Sequence, residues 1–290
     1  MRRDRSRLAA ILPGLWLAAF FAFPFVLVLK LSLSDTALSV PPYTPQIDWS
    51  RLNAFIAGLD VETYARLVAD RLYLDAWVSS LRIAGTATLL LLLIGYPMAY
   101  GIARCAPPAR HALVMAVVLP FWTSFLIRIY AWIAILKPAG LLNAALAKLG
   151  LPAVNLLNTE AAVILGLVYA YLPFMVLPLY AVLERQDGRL VEAARDLGSP
   201  PFRAFWTVTF PLSLPGVAAG ALLCFIPMAG EFVVPDLLGG SETLMLGRVI
   251  WTEFFANRDW PAASAVAVAL LATLLAPILL FERQQAKVLR

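Results

Sequence analysis

Glu192, Ala193 and Ala194 stand together; Gly198 follows after three residues, and Val208, Phe210 and Pro211 after nine more. Arg185, Asp187, Arg189, Arg195, Asp196 and Arg203 crowd the same stretch, which apolar runs flank on both sides. The chemistry these residues offer is mechanical. Leu190, Val191, Ala193, Ala194 and Leu197 mark one side of a short amphipathic helix. Gly198 stops it, because glycine takes φ > 0 without steric cost. Ser199 is expected to cap a second helix with Pro200 at its first position, and Pro211 makes an interior continuation costly. The spacing predicts a helix–turn–helix knob that could fill a groove on another protein. An ordinary solvated loop between two membrane helices could carry the same charges. A second feature is Glu231, which ends a run of twenty-seven uncharged residues from Ala204. An acid so placed is functional or paired.

The elements that position these groups are membrane helices. The 290 residues are 61% hydrophobic and only 14% charged, against roughly 25% charged in soluble chains, and the mean hydropathy is +0.80. Six segments are long and apolar enough to cross a bilayer, which takes about 20 residues each. The expected order is a tail over residues 1–7, a first span over 8–33 and a loop over 34–75. The region 76–283 then holds spans two to six and the charged loop 185–213, before a tail over 284–290. The first span is read as retained and not as a signal peptide, because its apolar run is too long for one. The loop 34–75 carries Pro41, Pro42 and Pro45 and an amphipathic stretch (Val61, Tyr64, Leu67, Val68) expected along the outer surface. The third span is expected at about Ala112 to Leu136, the fourth at Ala161 to Leu183, the fifth at about Leu214 to Leu238 and the sixth at Pro261 to Phe281. Interior prolines free the carbonyl four residues earlier: Pro120 that of Ala116, Pro173 that of Tyr169, Pro227 that of Leu223. That suits a gated path, though proline is also common in membrane spans.

Basic residues set the orientation. With the N-terminus inside, the inner segments hold thirteen basic and six acidic residues, and the rest of the chain ten and twelve. Both termini and the charged loop are therefore expected in the cytoplasm. Cys105 and Cys224 are far apart and no disulfide framework is expected; the single His111 makes a histidine metal site unexpected. No G-x-x-x-x-G-K-[ST] loop, G-x-S-x-G turn or H-E-x-x-H pair occurs, so neither ATP hydrolysis nor those hydrolase chemistries are expected of this chain.

The pattern EAA-x3-G-x9-V-x-F-P resembles the cytoplasmic loop of ABC-importer permeases, with Val208 and Phe210 where that family usually has Ile and Leu. FWTSFLIRIYAW (Phe121 to Trp132), YAYLPFMVLPLYAVLE (Tyr169 to Glu184), GEFVVPDLLGG (Gly230 to Gly240) and FFANRDWPAASA (Phe254 to Ala265) are similar to the permease subunits of putrescine/spermidine importers, the putrescine type in particular. The likeness runs from about Tyr64 to the C-terminus, and residues 36–60 match nothing usable. It implies an all-α, six-span type I importer permease of the bacterial inner membrane. It further implies a second related permease chain, two ATPase subunits that bind ATP and Mg, and a periplasmic polyamine-binding protein. No cofactor is implied for this chain. Glu192, Ala193, Ala194, Asp196, Gly198 and Pro211 would couple to the ATPase.

On that reading Glu231 and Asp236 offer carboxylates to ammonium groups, and Trp122, Tyr130, Trp132, Tyr169 and Tyr171 offer aromatic faces. Glu231 would lie roughly 25 Å along the fifth span from Leu214. The plainer expectation is that Glu231 pairs with Arg128, the lone arginine of the third span; both hold if the pair opens during transport. Two alternatives stay open: an ABC permease for another small solute, or an ion-driven secondary transporter. The latter often shows an internal repeat and midplane acids, and no convincing repeat is seen here.

Overall fold

The computed structural model describes residues 11–46 and 58–288, with side chains to residue 279. The expected tail at 1–7 and the last two residues of that at 284–290 lie outside the described residues, as do residues 47–57 of the stretch that matched nothing. In chain order the helices are α1 (Ile11–Ser32), α2 (Glu62–Ala69), α3 (Arg71–Arg104), α4 (Pro107–Val118), α5 (Phe125–Leu136), α6 (Leu141–Lys148) and α7 (Glu160–Leu183). There follow α8 (Gly188–Asp196), α9 (Pro201–Ala204), α10 (Phe210–Ala229), α11 (Val233–Leu238), α12 (Leu246–Trp251) and α13 (Trp260–Val288). Six helical stretches are long and apolar enough to cross a membrane.

The chain divides into two compact units. The smaller takes the described residues up to Ala76 together with Leu246–Thr273. Past α1, strands β1 (Asp35–Thr36) and β2 (Tyr43–Thr44) pair antiparallel in a small hairpin that was not anticipated. Lys30 Nζ donates to the Pro45 carbonyl at 2.6 Å and lies over the Tyr43 ring. Thr36 Oγ1 donates to Asp259 Oδ1 at 2.7 Å, and the same oxygen caps α13 by accepting from Ala262 N. The amphipathic helix α2 forms, and of the four residues that marked it Leu67 is buried. Thr63 and Leu67, four apart, are buried, while Val61 and Val68 are exposed. Tyr64 is held by donating its hydroxyl to Ser32. A helix presents positions i and i+4 to one side, and the start at Glu62 makes 63 and 67 that pair.

The larger unit, Trp77–Met245 with the end of α13, is built on the contact between α7 and α10. Without water to drive apolar groups together, membrane helices associate by close packing, and small residues let backbones approach. Gly216 and Gly220 supply this on α10. A Cβ at Gly216 would lie 3.1 Å from the Pro178 carbonyl, and one at Gly220 would lie 2.9 Å from Met175 Sδ. Gly166, one turn above Val163 on α7, gives the same access to Val234 and Leu238 of α11.

Two spans depart from the expected continuous helices. The third is broken. α4 ends at Val118, a 3₁₀ turn covers Leu119–Trp122, and Thr123 and Ser124 are extended before α5. Pro120 lacks the N–H that would continue α4, and both the amide and the hydroxyl of Thr123 donate back to its carbonyl. The fifth ends early, at Ala229 and not at Leu238. Gly230 N donates to Pro227 O and Glu231 N to Met228 O, which closes the helix. Glu231 Oε1 then accepts from Val233 N and opens α11.

Filling the glycine contact should separate α7 from α10. Gly220→Leu is expected to cost about 1–3 kcal/mol by overpacking, read as a lower melting temperature of the purified protein in detergent. Gly101→Ala, where a Cβ meets nothing within 4 Å, should leave the melting temperature unchanged.

Candidate functional site

The knob forms between α7 and α10. Asp187 caps α8 by accepting from Arg189 N at 3.0 Å. The helix ends in paired bonds, Gly198 N to Arg195 O and Ser199 N to Ala194 O, with Gly198 at φ +84°. These are the two reverse bonds that a left-handed glycine allows at a helix end. The next helix starts one residue later than expected, so Ser199 lies outside it and the expected serine cap is not made. Pro200 takes the cap position and Pro201 opens α9. A π-helical turn, Phe205–Thr209, leads into α10, with Phe210 N reaching back to Phe205 O. Pro211 has no N–H to give, which favours such a widening.

The chain itself does not cover the apolar side of the knob. Leu197 is 89% and Phe202 76% exposed, and no residue of α8 is buried. Glu192, Ala193 and Asp196 are exposed as well. A cavity of about 410 Å³ lies behind α8, lined among others by Tyr100, Leu183, Val191 and Arg195. The base is anchored instead by aromatic rings. Phe205 meets Tyr96 and Tyr100 edge-on at 5.7 and 5.5 Å. The Tyr96 hydroxyl shares a hydrogen bond with Ser213, which donates to Phe210 O. Arg110 donates to Glu184 Oε1 at 2.7 Å and with two nitrogens to Cys105 O. Hydrogen bonds from Tyr180 and Arg110 hold the Glu184 carboxyl below the usual carboxylate range.

Past the far end of α10, Glu231 occupies the break between α10 and α11. Its Oε2 accepts from the Tyr171 hydroxyl at 2.9 Å and its Oε1 from Val233 N at 3.1 Å. The expected pair with Arg128 is not made. Arg128 Nε and Nη1 are buried without an acceptor among the described residues. Its guanidinium lies 4.8 Å from the Phe121 ring and 5.6 Å from that of Phe125. A desolvated cation over a ring gains about 2 kcal/mol, against roughly 2.5–3.5 kcal/mol for an arginine at the centre of a span. The rings thus offset much of the cost that a carboxylate was expected to meet. A line of aromatic contacts joins the two charges: Phe121 to Phe174 at 5.1 Å, and Phe174 to Tyr171 at 5.9 Å.

The other path residues are spread more widely. Trp122 is 77% and Tyr130 57% exposed, and Tyr169 packs edge-on against Trp132. Asp236 is exposed in the first turn of α11. Of the expected aromatic faces only Tyr171 reaches Glu231. Phe121 and Phe174 were overlooked, as were Gln186, Tyr96 and the Arg110–Glu184 pair. No sequence motif marks them; a polar residue beside an interior proline was the available hint for Tyr171.

This architecture has known counterparts. The pattern described as binding-protein-dependent transport system inner membrane component matches residues 109–283, more than half the chain. The spermidine/putrescine transport system permease protein PotB of Haemophilus influenzae is 43% identical over 273 residues, 93% of this chain and 90% of that protein. PotB of Escherichia coli is 42% identical over 212 residues, 72% and 77% of the two chains. The crystal structure of a bacterial alginate ABC transporter, in complex with alginate pentasaccharide-bound periplasmic protein, superposes with a TM-score of 0.76. That match covers 99% of this chain and 96% of that one, at 17% identity, a likeness of fold. The all-α importer-permease fold expected from the sequence is therefore the one found. The chain belongs to the family of binding-protein-dependent transport system inner membrane components, as a non-catalytic, multi-pass permease subunit of an ABC transporter.

Proposed function

We propose that this chain is the membrane subunit of an ATP-driven polyamine importer, taking up putrescine or spermidine. The observation that carries the substrate class is the 43% identity, over 93% of the chain, to a permease named for spermidine and putrescine. The site supports it: one carboxylate at a helix break, held by the Tyr171 hydroxyl, with the Phe174 ring against that of Tyr171. Ammonium groups leaving water need such acceptors and faces.

In this reading a second, related permease chain completes the path, and a periplasmic polyamine-binding protein delivers the substrate. Two ATPase subunits bind and hydrolyse ATP. The knob from α8 to α9 enters a groove on one of them, with Leu197 and Phe202 supplying apolar contact and Glu192, Ala193, Ala194 and Asp196 around them. The excess of basic residues supports a cytoplasmic position for this loop and both termini. Arg128 keeps the Phe121 side of the aromatic line positive and directs the substrate's cations to the Glu231 side.

Glu231→Gln tests the pathway. The amide keeps an oxygen for Val233 N and a polar contact for Tyr171, and Arg128 loses no partner. Charge alone is removed. Uptake of labelled putrescine by the reconstituted complex should fall roughly ten- to hundredfold, the worth of a hydrogen bond to a charged group, at unchanged yield and melting temperature. Normal uptake would sink the role of this carboxylate.

Gly198→Val tests the docking. A Cβ at Gly198 meets nothing within 4 Å, so the substitution costs only backbone strain, about 1–3 kcal/mol, and redirects α9 against α8. ATPase co-elution and uptake should both drop. Wild-type levels of both would show that the knob does not dock.

A further inference from the structure

The knob meets the membrane helices through two soft points. On entry the chain leaves α7 at Leu183 and turns through residues 184–187 before α8. On exit it passes the π turn Phe205–Thr209, where the backbone ladder is widened by one residue ahead of Pro211. Motion of the knob could be absorbed at either point. Gln186 joins them: its Nε2 donates to the Thr209 carbonyl at 3.1 Å, twenty-three residues away. Thr209 is buried and Gln186 half-buried, and both residues line the cavity behind α8. On either side stand further ties, Glu184 to Arg110 and Ser213 to Tyr96.

We propose that Gln186 is a positioning residue for energy coupling: its amide locks the end of α7 to the start of α10, so that displacement of the knob moves both helices together. α7 carries Tyr171 halfway along its length, and Glu231 stands just past α10, so the locked pair carries knob motion to that contact as one body. Val191 and Arg195 line open space behind α8 together with Tyr100 and Leu183, and no residue of α8 is buried, so a polar tie at the base of the knob limits its tilting. This proposal rests on the coupling reading of the knob given above.

The test uses the whole complex, with its ATPase and binding protein, in proteoliposomes. Gln186→Glu keeps the shape but sets a carboxylate oxygen against the carbonyl; Gln186→Lys keeps a donor within reach. The readouts are ATPase co-elution, melting temperature, and putrescine taken up per ATP hydrolysed. The expected result for Gln186→Glu is unchanged co-elution and melting, with uptake per ATP lowered about three- to tenfold, the worth of one hydrogen bond. Gln186→Lys should restore most of the ratio. An unchanged ratio in Gln186→Glu overturns the proposal. So does a loss of co-elution or melting temperature that accompanies the loss of ratio, since Gln186 would then only support the fold of the loop. A Lys variant as uncoupled as the Glu variant also contradicts it. If the wild-type chain itself fails to co-elute with the ATPase, the coupling reading falls and this proposal with it; the two failures are thus told apart.

Discussion

The close approach of α7 and α10 is the constraint on which the other features depend. Gly216 and Gly220 meet Pro178 and Met175 with no room for a side chain. In a bilayer this contact cannot draw on the hydrophobic effect and rests on fit alone. One end of the pair is joined by the loop that makes the knob. Just past the other end of α10, Glu231 meets Tyr171, which stands halfway along α7. Loop and acid are therefore attached to the same two helices, and a change in how those helices pack is felt at both.

Prolines determine where this frame yields. Pro120 and Pro227 end helices inside spans, and the chain repairs each break locally: the hydroxyl and amide of Thr123 on Pro120 O, the amides of Gly230 and Glu231 on the last turn of α10. Backbone groups in lipid must find partners within the protein, so a break survives only where such repair is at hand. Both breaks lie next to the charged groups of the spans, Arg128 after the first and Glu231 within the second. Irregular backbone and ionisable side chains thus occur together, which fits a path lined by protein and not by lipid.

Much of the knob was legible because its instructions are local. Gly198 lies within a few residues of the bonds it allows, and the spacing from Glu192 to Pro211 fixes two short helices. The cap at Ser199 with Pro200 in the first turn missed by one residue, because Pro200 takes the cap position and Pro201 opens the helix; the Asp187 cap of α8 was not read. The spans themselves were plain from hydropathy, but their interruptions were not, since a proline marks a weak point without saying whether the helix kinks or stops. The Glu231 site was the least legible. Tyr171 is sixty residues away and Phe121 more than a hundred, and only the packing of three spans brings them near. Arg128 misled for a physical reason: charge complementarity pointed to Glu231, while the rings of Phe121 and Phe125 lie on its own span, within a turn or two.

In the function proposed, ATP spent by a partner chain is the source of work that moves a polyamine past Glu231. Uptake of labelled putrescine into proteoliposomes holding the full complex tests this most directly, with ATP and a transmembrane proton gradient supplied separately. Uptake that requires both ATP and the loaded binding protein, and that ignores the gradient, is the predicted result. Uptake driven by the gradient without ATP would contradict it.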